Sequence, residues 1–151
     1  AREWRGSLHQ RAYVDESFAR ALAREPAAFC RGCHAPEADP RAPAPAELAE
    51  LGVGCISCHV PQDRVIAGPG PGRGAAPHAV ARAAWFGEPA ACGGCHEFAF
   101  PGSGELMQAT LREHAASAYA ATSCVDCHMP RRADGRRDHR FAASRDPGLL
   151  L

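Results

Sequence analysis

Four stretches of this chain place two cysteines three positions apart with a histidine directly after the second: Cys30-Arg-Gly-Cys33-His34, Cys55-Ile-Ser-Cys58-His59, Cys92-Gly-Gly-Cys95-His96 and Cys124-Val-Asp-Cys127-His128. Together they use all eight cysteines. Two thiols on one turn of chain can each add to a vinyl group on the same edge of a porphyrin, and the adjacent imidazole then falls beneath the ring as a ligand for iron. One C-x-x-C alone would leave a zinc site, a disulfide framework or a thioredoxin-type redox pair as competing chemistries. Four, each followed by one of only eight histidines in 151 residues, would arise by chance about once in 10⁵. The sequence therefore points to four covalently bound haem c groups, with Cys30, Cys33, Cys55, Cys58, Cys92, Cys95, Cys124 and Cys127 as attachment points and His34, His59, His96 and His128 as proximal ligands.

Four histidines remain outside the motifs: His9, His78, His114 and His139. Their number equals the number of irons, so the expectation is four bis-histidine haems of low potential, with no iron position open to substrate. Met107 is the one methionine placed to compete as a sixth ligand, since Met129 is held beside its own proximal histidine. His139 lies eleven residues beyond His128, close enough for a loop to fold back over the fourth haem.

The elements that must position these groups are mostly helical. Ser7 and Gln10 form a capping box at the start of a helix expected to run from Ser7 to about Ala23, closed by Pro26 and carrying His9 in its first turn. Residues 35–46 contain four prolines and read as a connector, followed by a helical turn at Glu47 to Leu51. Residues 60–77 form a Gly/Pro loop including G-P-G-P-G-R-G, expected to pack over a haem or serve as a contact surface. A short helix is expected from Pro77 to Trp85, with His78 on the face of Trp85. Phe98 and Phe100 are expected to pack against haem. From Glu105 to Ala121, Met107, Leu111, His114 and Ala118 fall on one stripe of an expected helix. Only Arg64 to Ala67 has the alternation of a strand.

Leu, Ile, Val and Phe number 23 of 151, too few for a large side-chain core. The expected fold is mainly α with extensive irregular loops, a single domain over residues 1–151 wrapped around four stacked haems that serve as its core. Basic and acidic residues balance at 17 each, which gives no sign of a nucleic-acid partner. Every basic residue is arginine, suited to clamping haem propionates. Two propionates and one ferric charge per haem would bring the holoprotein to about −4. The apolar tail Leu149-Leu150-Leu151 is far too short to span a membrane. Covalent haem attachment implies export, so a periplasmic or extracellular location is expected, with a signal peptide removed ahead of Ala1.

The words W-R-G-S-L-H (Trp4–His9), G-V-G-C-I-S-C-H (Gly52–His59), C-G-G-C-H-E-F (Cys92–Phe98), M-Q-A-T-L-R-E-H (Met107–His114) and C-V-D-C-H-M-P followed by H-R-F resemble the multihaem c-type cytochromes. That superfamily includes the tetrahaem electron acceptor of hydroxylamine oxidoreductase, the pentahaem nitrite reductases and outer-surface cytochromes of metal-reducing bacteria. The resemblance spans Trp4 to Phe141 and implies a haem stack of alternating parallel and perpendicular pairs, a role as electron conduit, and distal ligation by His9 and His139. Relatives often carry tryptophan after the glutamate of the Q-x-T-x-x-E element, where this chain has His114. Should His114 not ligate, one haem would be five-coordinate and reactive.

The leading reading is an electron-transfer protein, not an enzyme, serving redox partner proteins or extracellular acceptors. A second is a protomer of a conducting homopolymeric filament, with His9 or His139 ligating a haem in the next subunit. A third is a multihaem reductase with one open iron.

Overall fold

The computed structural model describes residues 2–69 and 76–143. The G-P-G-P-G-R-G run falls largely, and Ala1 and the terminal leucines wholly, outside the described residues. Of the described residues 39% are helix and 10% strand, so the fold is partly helical, with no helix longer than nine residues among those described.

The regular elements in order are α1 (Glu16–Arg24), α2 (Ala28–His34), α3 (Ala46–Leu51), α4 (Cys55–His59), β1 (Ile66–Ala67), β2 (Ala81–Arg82), α5 (Ala90–His96), β3 (Glu97–Ala99), β4 (Leu106–Ala109), α6 (Thr110–Ala116) and α7 (Cys124–His128). Single 3-10 turns lie at Pro61–Asp63 and Ala84–Gly87. β1 pairs parallel with β2, and β3 antiparallel with β4 across a register shift between Phe98 and Ala99.

The first expected helix begins late. Ser7 Oγ does accept from the Gln10 N–H at 3.1 Å, and the Gln10 side chain accepts from the Gly6 N–H at 3.1 Å, but the chain then runs through turns as far as Val14. Long-range bonds compete with the helical ladder: the His9 carbonyl accepts from Val53 N–H at 2.9 Å, and Gln10 Nε2 donates to the Glu50 carbonyl at 2.5 Å. The helix starts only at Glu16, with the Asp15 carboxylate capping Ser17 N–H at 3.0 Å. Glu16 and Arg20 add an exposed pair one turn apart.

The helix expected from Pro77 to Trp85 is replaced by extended chain, because residues 80–83 pair with the strand after motif two: Ala81 N–H reaches the Val65 carbonyl and Ala83 N–H the Ala67 carbonyl. The helix expected from Glu105 to Ala121 is likewise cut to α6. Its first turn is spent as β4, which pairs with β3 around the turn Pro101-Gly102-Ser103-Gly104, where Gly102 and Gly104 take positive φ. Ser117 stops it, its hydroxyl and N–H both donating to the His114 carbonyl. Met107 on the expected apolar stripe is 53% exposed. The expected helical turn near Glu47 is present as α3, and β1 lies within the one segment read as strand.

Among the described apolar residues only Ala35 and Ile66 are buried, and no large side chain is fully enclosed. Instead of one core there are small aromatic groups beside the cysteine motifs: Tyr13 and Phe18 at His34, Phe29 with Phe98 and Phe100, and Trp85 with Phe86 at His59. Such sparse burial is far below what orders a chain of this length.

Two tethers bind the N-terminal segment across the fold. Trp4 Nε1 donates to the Val53 carbonyl at 2.9 Å, and Glu3 forms an ion pair with Arg132. At the far end, Arg131 and Arg137 bridge around a turn at Gly135, and Arg137 stitches that turn to α7 through the Val125 and Met129 carbonyls and the Asp126 carboxylate.

Candidate haem sites

Each cysteine motif is the same local object. In α2, α4, α5 and α7 the histidine is the last helical residue, and the following N–H bonds back to the carbonyl of the residue after the first cysteine: Ala35 to Arg31, Val60 to Ile56, Glu97 to Gly93 and Met129 to Val125. Residues three apart share a helical face, so each turn presents two thiols side by side with an imidazole just beyond.

Outside groups set these turns in place. Glu37 accepts from the Ser57 N–H at 3.2 Å and its hydroxyl at 2.9 Å, anchoring α4. Glu97 accepts from Leu111 N–H at 3.0 Å and pairs with Arg112, capping α6 in place of Ala109, whose side chain has no acceptor. Of the two glycines in motif three, Gly93 packs close to α6: a Cβ there would lie 2.9 Å from Leu111 Cδ2, the end of a side chain that would have to shift.

The tautomers are fixed by chemistry. His34 Nδ1 lies 2.6 Å from the Ala12 carbonyl, His59 Nδ1 2.9 Å from that of Ile66, and His128 Nδ1 2.6 Å from that of Ala142. A carbonyl only accepts, so Nδ1 carries the proton and the lone pair sits on Nε2. This is the second-sphere bond that orients metal-ligating histidines. His139 has the same arrangement with the Arg137 carbonyl at 2.9 Å, and exposed His78 a longer one with Ala79 at 3.3 Å. His114 is reversed: its Nε2 faces the Thr122 carbonyl at 2.9 Å, so only Nδ1 is left as an acceptor.

Two motif histidines have another histidine opposite. The rings of His59 and His139 are centred 6.1 Å apart, and those of His9 and His96 likewise 6.1 Å apart. Two imidazoles bonded to one metal at about 2 Å each have ring centres about 6 Å apart, so the separation of both pairs is compatible with a shared metal. The structure sets the His139 ring beside that of His59 in motif two, whereas sequence separation alone suggests a lid over motif four, with another haem also open to it.

Burial also acts on the charge of these histidines. Burial, with lesser contributions from His96 and His128, pushes His9 down to about 4, and its Nδ1 is buried without a hydrogen-bond partner. The neutral ring is the form that can bind a metal, and its unpartnered Nδ1 leaves it without the orienting hydrogen bond the other histidines have. His96 and His139 are also held below the usual range, chiefly by burial.

The thiols converge between motifs as well as within them. Cys33 and Cys95 share a hydrogen bond that pushes Cys33 up and Cys95 down, while burial, with Cys124 nearby, raises Cys92 to about 11. Burial also raises Cys58. Motif three therefore lies against motifs one and four. Among the described residues no three Cys, His, Asp or Glu side chains gather as ligands of one ion; a haem iron asks only two of the protein.

Residues the sequence reading passed over are those that hold the histidines. Phe18 stacks on His34 at 3.6 Å and 6°, and Glu3 accepts from the His139 N–H at 3.1 Å. Only local spacing was available as a signal, and Glu3 lies 136 residues from its partner.

No protein-family model, curated protein or solved structure matches the chain. Among the described residues no helix is long and apolar enough to cross a membrane.

Proposed function

We propose that this chain is a tetrahaem c-type cytochrome of the multihaem superfamily, an electron-transfer protein working in the periplasm or outside the cell. The observation that carries the reading is the fourfold Cys-x-x-Cys-His turn, three of whose histidines donate Nδ1–H to a backbone carbonyl and keep Nε2 for a metal. Bound haem supplies a one-electron iron couple. The chain's part is to attach each porphyrin through its cysteine pair, present one imidazole from each motif, and bring His139 opposite His59 and His9 opposite His96. Burial keeps His9, His96 and His139 neutral, the state in which they can bind iron. The proximity of motif three to motifs one and four supports the reading, since electrons hop between attached groups only where these are held close together.

A filament protomer is the second reading, favoured by one observation. His9 and His139 each face a motif histidine of their own chain, whereas His78 is exposed with Nε2 turned away from its own backbone. In this reading His78, not His9 or His139, reaches an iron in the next subunit.

The test is intact-mass and electron paramagnetic resonance spectroscopy of protein made in a host that attaches haem c. Four haems per chain with low-spin ferric signals are expected. A haem-free chain binding zinc would sink the proposal, and a high-spin signal that binds cyanide would turn it toward a reductase with an open iron.

A further inference from the structure

Phe141 is the one bulky apolar residue among those described that holds a positive φ, at 56°. Bulky L-residues rarely adopt this conformation, and it persists only where surrounding structure imposes it. Here the chain is pinned on both sides. Before it, Asp138, only 5% exposed, donates its N–H to the Pro130 carbonyl at 3.0 Å, and its carboxylate accepts from the Arg140 N–H at 2.9 Å. After it, Ala142 N–H donates to the His128 carbonyl at 3.1 Å, while the Ala142 carbonyl accepts from His128 Nδ1 at 2.6 Å. Between these anchors the left-handed turn sets the Phe141 ring beside two histidines. Its centre lies 4.2 Å from that of His9 at 52°, and 6.1 Å from that of His139 at 89°. One short segment thus touches motif two through His139, motif three through His9 and motif four through Ala142.

We infer that Phe141 is a positioning residue that fixes the ring plane of His9, and through it the orientation of that imidazole about its bond to iron. The inference rests on His9 serving as an axial ligand. His9 Nδ1 has no hydrogen-bond partner to orient its ring, unlike His34, His59, His128 and His139. An aromatic face at 4.2 Å supplies by packing the restraint that a second-sphere hydrogen bond supplies elsewhere. The twist between two axial imidazoles governs the anisotropy of a low-spin ferric signal, and the burial around a haem, which the Phe141 ring adds to, is one of the levers on its potential.

The experiment uses haem-loaded protein carrying Phe141→Ala, Phe141→Leu, Phe141→Tyr or Phe141→Gly, with His9→Ala identifying the signal. Phe141→Gly accepts the positive φ and removes the ring, so it separates loss of packing from loss of the turn. The expected result is four haems by mass in every variant and a shifted g value and midpoint potential for the signal that His9→Ala abolishes. Ala, Leu and Gly should all produce the shift, and Tyr should restore the native values. If His9→Ala leaves all four signals in place, the ligand reading fails. If it removes one signal that Phe141→Ala and Phe141→Gly leave unshifted, the ligand reading stands and the inference about Phe141 is overturned.

Discussion

His139 lies with its ring centre 6.1 Å from that of His59, although eighty residues separate them in sequence. The Glu3 carboxylate accepts the His139 N–H, the Arg137 carbonyl accepts its Nδ1–H, and the Glu3–Arg132 ion pair ties the same segment down. With Nδ1 carrying the proton, the lone pair of the ring lies on Nε2.

Replacing His139 by alanine should therefore open the haem of motif two and not that of motif four. The expected outcome is one high-spin ferric signal that binds cyanide, with the other signals unchanged. Adding Cys55→Ala, Cys58→Ala and His59→Ala should remove that signal, whereas the equivalent changes at Cys124, Cys127 and His128 should leave it. Electron paramagnetic resonance of the variants decides which motif owns His139.

The chain without haem should not fold. With only Ala35 and Ile66 buried among the described apolar residues, too little apolar surface leaves water to offset about 1–2 kcal/mol of backbone entropy per ordered residue. Material from cells lacking the haem attachment machinery should show a largely disordered far-ultraviolet circular dichroism spectrum and no cooperative melting. A compact apoprotein with a sharp transition would show that the side chains suffice.

Gly52 should be intolerant of any side chain. It has φ 57°, and a Cβ there would sit 2.4 Å from the Gln10 carbonyl oxygen and 2.6 Å from that of His9. Gly52→Ala combines backbone strain with a clash against main-chain atoms, so about 2 kcal/mol or more of stability should be lost. Because the neighbouring Val53 N–H holds the His9 carbonyl, the spectrum of the His9 iron should change as well. Thermal melting alongside the low-spin signals checks both effects. Gly32, with nothing within 4 Å of a built Cβ, is the control expected to tolerate alanine better.

The candidate haem motifs could be picked out of the sequence because their signal is local: two thiols and an imidazole within five positions point to a chemistry whatever the rest of the chain does. The joining elements were less so. The stripe from Met107 to Ala118 has helical period, yet β3 directly after motif three offers a pairing partner and Gly102 and Gly104 turn the chain, so tertiary hydrogen bonds override the period at its start. Only half of the capping box at Ser7 forms, and without its helix, because Ser7 N–H donates to the Trp4 carbonyl while Val53 and Glu50 take up nearby backbone and side-chain partners. Pairings such as His139 with His59 depend on where the chain returns, which no short window encodes.

Acid should release the distal ligand at motif three. Burial lowers His9 from its ordinary value near 6.5 to about 4 in the fold, so between those values the unfolded chain binds a proton that the folded chain does not. The contribution of neutral His9 is therefore complete above about pH 6.5 and is lost as the pH falls towards about 4. Iron bonded to the same imidazole would push its protonation lower still, so the low-spin signal of the His9 haem should hold through pH 6 and give way to a high-spin signal only at or below about pH 4. A ferric acid titration followed by absorbance and paramagnetic resonance measures this, with His9→Ala high-spin at that haem across the whole range. Conversion centred near pH 6.5 would mean that neither burial nor an iron bond shields His9 from the proton.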